Sequence, residues 1–248
     1  MLRLQAVRPT CVLFLLASSL SFAAGGGEPR VTQLIREVTL LPTGAPPHRA
    51  VLNETVPETS VVKTGGDSRA ELTFADLTIT RLGANTLYGF KNSGRRIELN
   101  GGSILLRVPK DSRGATIYTS AVTVGITGTT LILESIRGGA TRLTVLEGAA
   151  RLTLVQARDQ QRAVAAGQSL EVPSGARRLG DPKAIDLSAL MKTSPLIVGF
   201  RPLPSQNLIN NAIRQQQQQR GPGNPNSRNG PAGPQSTAPP PAPAPGPH

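Results

Sequence analysis

The chain has 248 residues, with 27 Lys/Arg against 15 Asp/Glu, a formal net charge of +12 and only 3% aromatic residues. Its single cysteine, Cys11, excludes an intrachain disulfide and a Cys-ligated metal cluster, and its two histidines, His48 and His248, leave little for histidine-dependent catalysis. No run reaches the roughly 18 apolar residues of a spanning helix, so no transmembrane span is expected.

Residues 1–23 read as a cleavable signal. Arg3 and Arg8 form a positive start, "CVLFLLASSL" an apolar stretch, and Ser21-Phe22-Ala23 places small residues at the third and first positions before a cut after Ala23. Cys11 precedes the apolar stretch rather than following it, which argues against a lipid anchor. The mature chain is expected in the periplasm or secreted. It would hold 17 Lys/Arg against 13 Asp/Glu up to residue 174, and 8 against 2 beyond it. A basic tail on an exported chain points to anionic envelope surfaces. Nucleic acid is not an expected partner, because few aromatic side chains are present to stack on bases.

From residue 24 to 174 the sequence predicts one all-β domain of sandwich or jelly-roll type with many short strands. In "SRAELTF", Ala70, Leu72 and Phe74 alternate with Arg69, Glu71 and Thr73. The alternation recurs in "RIELNGGSILLRV", "AVTVGITGTTLILE", "TRLTVLEGAARLTLV" and "QSLEV", separated by "TGG", "NSG", "NGG", "RGG" and "AAG". With no tryptophan, the core must be mostly Val, Ile and Leu. Residues 175–220 read as a connector, with "DLSALMKTSPLIVGFRPLPSQ" a short amphipathic piece and an extended, proline-marked stretch, and one helix over 205–220. Ser205 is its expected N-cap, with Leu208, Ile209 and Ile213 on one face. A chain ending at Gly175 is expected to stay folded. Residues 221–248 carry 10 of the 22 prolines, a Pro/Gly-rich composition that, after the Gln run at 215–219, is expected to make a disordered Pro/Gln-rich C-terminal tail.

Gly66-Asp67-Ser68 resembles a serine nucleophile turn, yet no histidine motif stands ready to activate Ser68. The bland reading is a corner, in which Gly65-Gly66 allow positive φ and Asp67 bonds its own backbone two residues on. "GITGTT" lacks the Gly-Lys-Ser/Thr ending of a phosphate loop. The acids Asp67, Glu71, Asp76, Glu98, Asp111, Glu134 and Glu147 are scattered, so no metal site and no cofactor are expected. They read as solvated strand-face or turn residues. Lys91, Arg95 and Arg96 flank "NSG" at a predicted hairpin tip. Together with Arg69 and Arg81 they form the expected exposed contact surface.

Five segments in order resemble the FecR domain family. They are "VVKTGGDSRAELTFADLTITRLGANTLY" (61–88), "IELNGGSILLRV" (97–108), "YTSAVTVGITGTTLIL" (118–133), "TVLEGAARLT" (144–153) and "AAGQSLEV" (165–172). The resemblance implies an all-β exported domain without enzymatic activity. Named members of the family are periplasmic parts of anti-sigma regulators, which contact a signalling domain of an outer-membrane iron-siderophore receptor. Here a cleavable signal stands where those regulators carry a cytoplasmic helical domain and a membrane span. Asp76-Leu77 replaces the usual Asp-Gly turn, and Thr127 stands where a basic residue often precedes Gly-Thr. The expected function is therefore that of an exported binding module, not an enzyme, acting on an envelope protein or an anionic cell-envelope polymer. The alternative is an accessory signalling protein that relays an envelope or iron-uptake stimulus to a separate membrane partner.

Overall fold

The computed structural model describes residues 27–135 and 139–220. The expected signal and the Pro-rich segment 221–248 lie outside the described residues. Among the described residues seventeen strands run in chain order: β1 (Arg30–Ile35), β2 (Val38–Leu41), β3 (His48–Arg49), β4 (Val61–Thr64), β5 (Arg69–Thr73) and β6 (Ile79–Leu82). There follow β7 (Leu87–Lys91), β8 (Arg96–Leu99), β9 (Gly102–Val108), β10 (Ala115–Tyr118), β11 (Val122–Ile126) and β12 (Thr129–Ser135). The last are β13 (Thr141–Glu147), β14 (Ala149–Leu154), β15 (Gln161–Ala165), β16 (Gln168–Val172) and β17 (Lys183–Ala184), and then helices α1 (Leu187–Thr193) and α2 (Gln206–Arg220).

The strands form two stacked sheets. The first has eight strands in the order β1-β5-β6-β9-β12-β13-β16-β17, and the second nine in the order β15-β14-β11-β10-β8-β7-β4-β2-β3. Alternation dictates what lies between them, because successive side chains of a strand point to opposite faces. Ala70, Leu72, Leu82, Ile104, Leu106, Leu131, Leu133, Leu143 and Val145 of the first sheet meet Val62, Tyr88, Phe90, Ile97, Ile117, Val124 and Leu152 of the second. Phe74 and Phe90 pack edge-on with ring centroids 5.3 Å apart. All-β is the architecture, and its core is aliphatic with a small aromatic corner. β8 and β10 pair in parallel, while the neighbouring pairs in both sheets run antiparallel. Ile97 and Ile117 are thereby brought level inside the core.

The hairpin tip between β7 and β8 forms as expected at residues 92–95. Asn92, Ser93 and Gly94 all take positive φ, and both Glu58 carboxylate oxygens accept from the Asn92 and Ser93 N–H groups. A Cβ on Gly94 would stand 2.5 Å from the Phe74 ring, so glycine is required by space as well as by φ. At the β5–β6 turn Leu77 has φ 64°, the left-handed conformation that the usual glycine of an Asp-Gly turn adopts freely. Its turn is held by Thr78 N–H donating to Asp76 Oδ1 at 2.9 Å.

Residues 185–216 are not a loose connector. Leu187, Leu196, Leu203 and Ile209 bury against Ile79, Leu105, Ile132 and Leu146 on the outer face of the eight-stranded sheet, making a second apolar layer. In α2 the buried stripe is Ile209 with Ala212 and Ile213, at the three- and four-residue spacing of one helix face. Leu208 is one position off that stripe and stays exposed. Nor does Ser205 spend its hydroxyl on capping α2, since its Oγ lies 2.8 Å from Thr130 Oγ1 of β12. α1 does have a side-chain cap, Asp186 Oδ1 accepting from Ala189 N–H at 3.0 Å.

Candidate binding faces

The five cations expected to form one exposed surface divide between the two opposite outer faces. Across the outer face of the eight-stranded sheet, the ladders align Gln33, Glu71, Arg81, Leu105, Ile132, Thr144 and Ser169 in one row. Arg81 is not exposed there; its relative accessibility is 1%. Its Nε donates to Glu71 Oε2 at 2.8 Å, its Nη1 to Leu196 O at 3.2 Å, its Nη2 to Arg201 O, and the Phe200 ring lies 4.6 Å from the guanidinium carbon. Burial lowers the pKa of Arg81, and the hydrogen bond and charge of Glu71 oppose that shift. The guanidinium stays charged, because arginine starts far above neutrality. Glu71 is likewise buried rather than solvated, its other carboxylate oxygen accepting from Thr32 Oγ1 at 2.8 Å. Arg69, half-buried, donates through Nη1 to Pro195 O at 2.9 Å and Val198 O at 3.0 Å, and Gln33 Nε2 donates to Gly199 O at 2.8 Å. Arg69 and Arg81 therefore bind the chain's own segment 195–201. The alternation of "SRAELTF" that turned Arg69 away from the core was read correctly, but a second layer covers that side.

On the nine-stranded sheet the outer row is Lys91, Arg96, Thr116, Gly125, Arg151 and Ala163. No helix of the described residues packs on it. Arg96 stacks on Tyr118, 4.0 Å from the guanidinium carbon to the ring centroid, and its Nε lies 3.3 Å from Glu98 Oε1, which Lys91 shares at 3.9 Å. Arg95 Nη1 donates to Gly114 O at 3.3 Å. Beside them Arg95, Arg113 and Arg151 rim a shallow groove of about 560 Å³, floored by residues that include Thr116, Gly125 and Ala163. Arg113 and Arg151 were absent from the expected surface. The alternation of "AARLTLV" turns Arg151 outward, but only the strand order brings it level with Arg96. Arg113 lies in a loop that carries no periodic signal.

Gly66-Asp67-Ser68 is a corner. The Ser68 Oγ accepts from Glu37 N–H at 3.0 Å and is 3% exposed as a residue. The expected turn chemistry differs in detail. Gly65 and Gly66 are not among the positive-φ residues, and Asp67 pairs with Arg36 at 2.8 Å instead of its own backbone. His48 is engaged elsewhere, its Nε2 2.7 Å from Glu54 Oε1, and that hydrogen bond raises its pKa. A further concavity of about 880 Å³ at one end of the sandwich is lined by Lys63, Asn85, Glu134, Arg142 and Glu171 among others. Two of its acids are taken up by Arg142, at 2.9 Å to Glu171 and 3.5 Å to Glu134.

Residues 60–151, from the start of the β4 region into β14, match the family described as "FecR protein". Two crystal structures of a "putative anti-sigma factor" from Parabacteroides distasonis ATCC 8503, at 1.65 and 2.50 Å resolution, resemble the chain at 14% identity with TM-scores of 0.46 and 0.44. The likeness covers 53% of this chain and 62% and 63% of theirs, so the chain spans less than two thirds of those structures. Among curated proteins none matches. The matched stretch includes Arg81, Arg96 and Arg151 of the two rows and Arg113 of the loop before β10, and stops short of the covering segment 185–216. Residues 60–151 are thus the part of this chain that is similar to the FecR family.

Proposed function

We propose that the chain is a non-enzymatic, exported binding module of FecR type that works through protein or envelope-polymer contacts. The observation that carries this reading is the asymmetry between the outer faces. One is sealed by the chain's own C-terminal layer, and the other presents Lys91, Arg95, Arg96, Arg113 and Arg151 with Glu98 as the acid in their midst. Export rests on the signal pattern of residues 1–23, with a mature chain beginning at Ala24. A second reading has an observation of its own. The FecR match supports an accessory signalling protein that relays an envelope stimulus to a separate membrane partner.

One experiment addresses both. The chain from Ala24 onward is mixed with purified cell wall and, separately, with detergent-solubilised envelope protein, alongside the Lys91→Gln/Arg96→Gln variant. Retention by either fraction, reduced in the variant, supports the binding reading, and retention by the protein fraction alone favours the signalling one. Equal retention of both chains defeats the assignment of the open face. N-terminal sequencing that finds Met1 on the exported form defeats the cleavage after Ala23.

A further inference from the structure

We propose that the groove rimmed by Arg95, Arg113 and Arg151 takes an acidic peptide segment of a partner protein. This rests on the reading of the open face as the binding face and names what occupies it. Charge is the first argument. Three guanidiniums converge on one depression, and no Asp or Glu is among the described residues that line it. Arg113 and Arg151 are exposed, and among the described residues the side-chain hydrogen bond of Arg151 is a long one, 3.4 Å, to the neutral Gln161 side chain. A guanidinium carries a planar fork of N–H donors that matches a carboxylate two bonds at a time, so unpaired arginines in a concave site favour planar anions.

The floor supplies the second argument. Gly125 sits in the middle of the row with nothing within 4 Å of where a Cβ would be, Thr116 stands beside it on β10, and Ala163 lies two strands away on β15, beyond Arg151. Side chains there are too short to fill the space above the sheet, and an extended backbone can lie close. From β8 to β14 is three strand spacings, about 14 Å, the length of about four extended residues. Carboxylates at the two ends of such a segment reach Arg95 and Arg113 on one side and Arg151 on the other. A sugar polymer fits less well, because no aromatic ring lines the groove and the nearby Tyr118 face is already covered by Arg96.

The test uses the chain from Ala24 onward and a fluorescently labelled oligoglutamate peptide, with oligoglutamine, polyphosphate and a polyuronic acid oligosaccharide as comparisons. At an ionic strength of about 0.15 M, long-range attraction is screened beyond about 8 Å, so contact binding dominates. Oligoglutamate should bind the wild-type chain and oligoglutamine should not. Arg113→Gln/Arg151→Gln should weaken oligoglutamate binding by about tenfold or more. Arg177→Gln/Arg178→Gln, which removes the same charge from exposed positions outside the groove, should change it by less than about twofold. An equal loss in both pairs would reduce the effect to net charge and overturn the proposal. So would tighter binding of polyphosphate or polyuronate that the groove variant abolishes, since the occupant would then be a polymer. If envelope retention responds to Lys91→Gln/Arg96→Gln while oligoglutamate never binds, the groove assignment fails and the open-face reading stands. Thermal melts of each variant establish that the losses are not losses of fold.

Discussion

The two outer faces of this sandwich are built on the same plan and have opposite fates. Each presents a row of residues that alternation turns away from the core, and each row holds an arginine near one end, Arg81 in one and Arg96 in the other. On the eight-stranded sheet the row continues into Leu105 and Ile132, and the segment 185–216 covers it with Leu187, Leu196, Leu203 and Ile209. On the nine-stranded sheet the row continues into Thr116, Gly125 and Arg151, which give a covering layer nothing apolar to bury. The difference follows from two positions per row. Apolar residues facing away from a core call for a second layer, and small or charged ones leave a face in water.

The largest effect should come from removing the cover. A chain ending at Gly175 loses the four buried Leu and Ile side chains of the covering layer and Leu179 of the main core, each contributing about 1.5–3 kcal/mol as an upper estimate, and exposes their partners. The sum is several kcal/mol against a typical total of about 5–15 kcal/mol. The buried layer overturns the expectation from sequence that such a chain stays folded undisturbed: the truncated domain should melt roughly 10 °C or more below the full chain, or lose its cooperative transition, in thermal circular dichroism. An unchanged melting curve would show that the layer is an ornament and that the two faces do not differ in the way described.

Next in size is the ion pair beneath that layer. Replacing Arg81 by Leu leaves Glu71 buried beside an apolar group, and Glu71→Leu strands the guanidinium in the same way. Each single change should cost about 3–5 kcal/mol, because an uncompensated buried charge is far dearer than a pair. The double variant should recover a good part of that loss. A double-mutant cycle by urea unfolding measures it, and additive single losses would mean that the two charges reach water independently.

Those two expectations also mark what could be read in the amino acids. The strands of the sandwich were legible, since "SRAELTF" and its successors alternate cleanly and glycine-marked turns separate them. The hairpin tip at 92–95 was legible for the same reason. Arg81 was not. Alternation says which residues leave the core, but a covering layer comes from a segment over a hundred residues later, beyond the reach of any local pattern. Leu208 was misplaced for a related reason, because a helix with several apolar residues does not declare which stripe its sheet will accept. Arg113 and Arg151 became neighbours of Arg95 only through the parallel β8–β10 pairing, which no hairpin signal encodes. The FecR resemblance carried the domain and left out the layer on top of it.

A smaller effect separates the cover from the frame that both faces share. Leu77 holds φ 64° at the β5–β6 turn while its side chain is 64% exposed, so it bears left-handed strain with little burial in return. Leu77→Gly should raise stability by about 1 kcal/mol, the order of the left-handed penalty for a side-chain-bearing residue, less the extra chain entropy of glycine. Urea unfolding measures the gain. A loss instead would mean that contacts of Leu77 with the rim of the covered face matter more than its backbone.

The smallest expected effect is the one that defines the comparison. Arg96 holds in its row a place comparable to that of Arg81, and like Arg81 it has both a carboxylate and an aromatic ring within reach, Glu98 and Tyr118. Its side chain, however, is 44% exposed, and Glu98 keeps 36% of its own exposure. Water screens the pair and solvates Glu98 when its partner is removed, so the interaction is worth roughly 0–1 kcal/mol where the buried pair governs several. The Tyr118 contact at an exposed site adds about 0.5–1 kcal/mol at most. Lys91 also stands 3.9 Å from the same Glu98 oxygen and supplies a substitute charge. Arg96→Gln should therefore shift the unfolding free energy by less than about 1 kcal/mol, below a third of the Arg81→Leu effect in the same experiment. A loss as large as that of Arg81 would mean that the second face is covered too, by a partner copy or by residues beyond 220. Arg96 would then belong to an interface already formed rather than to a surface waiting for one.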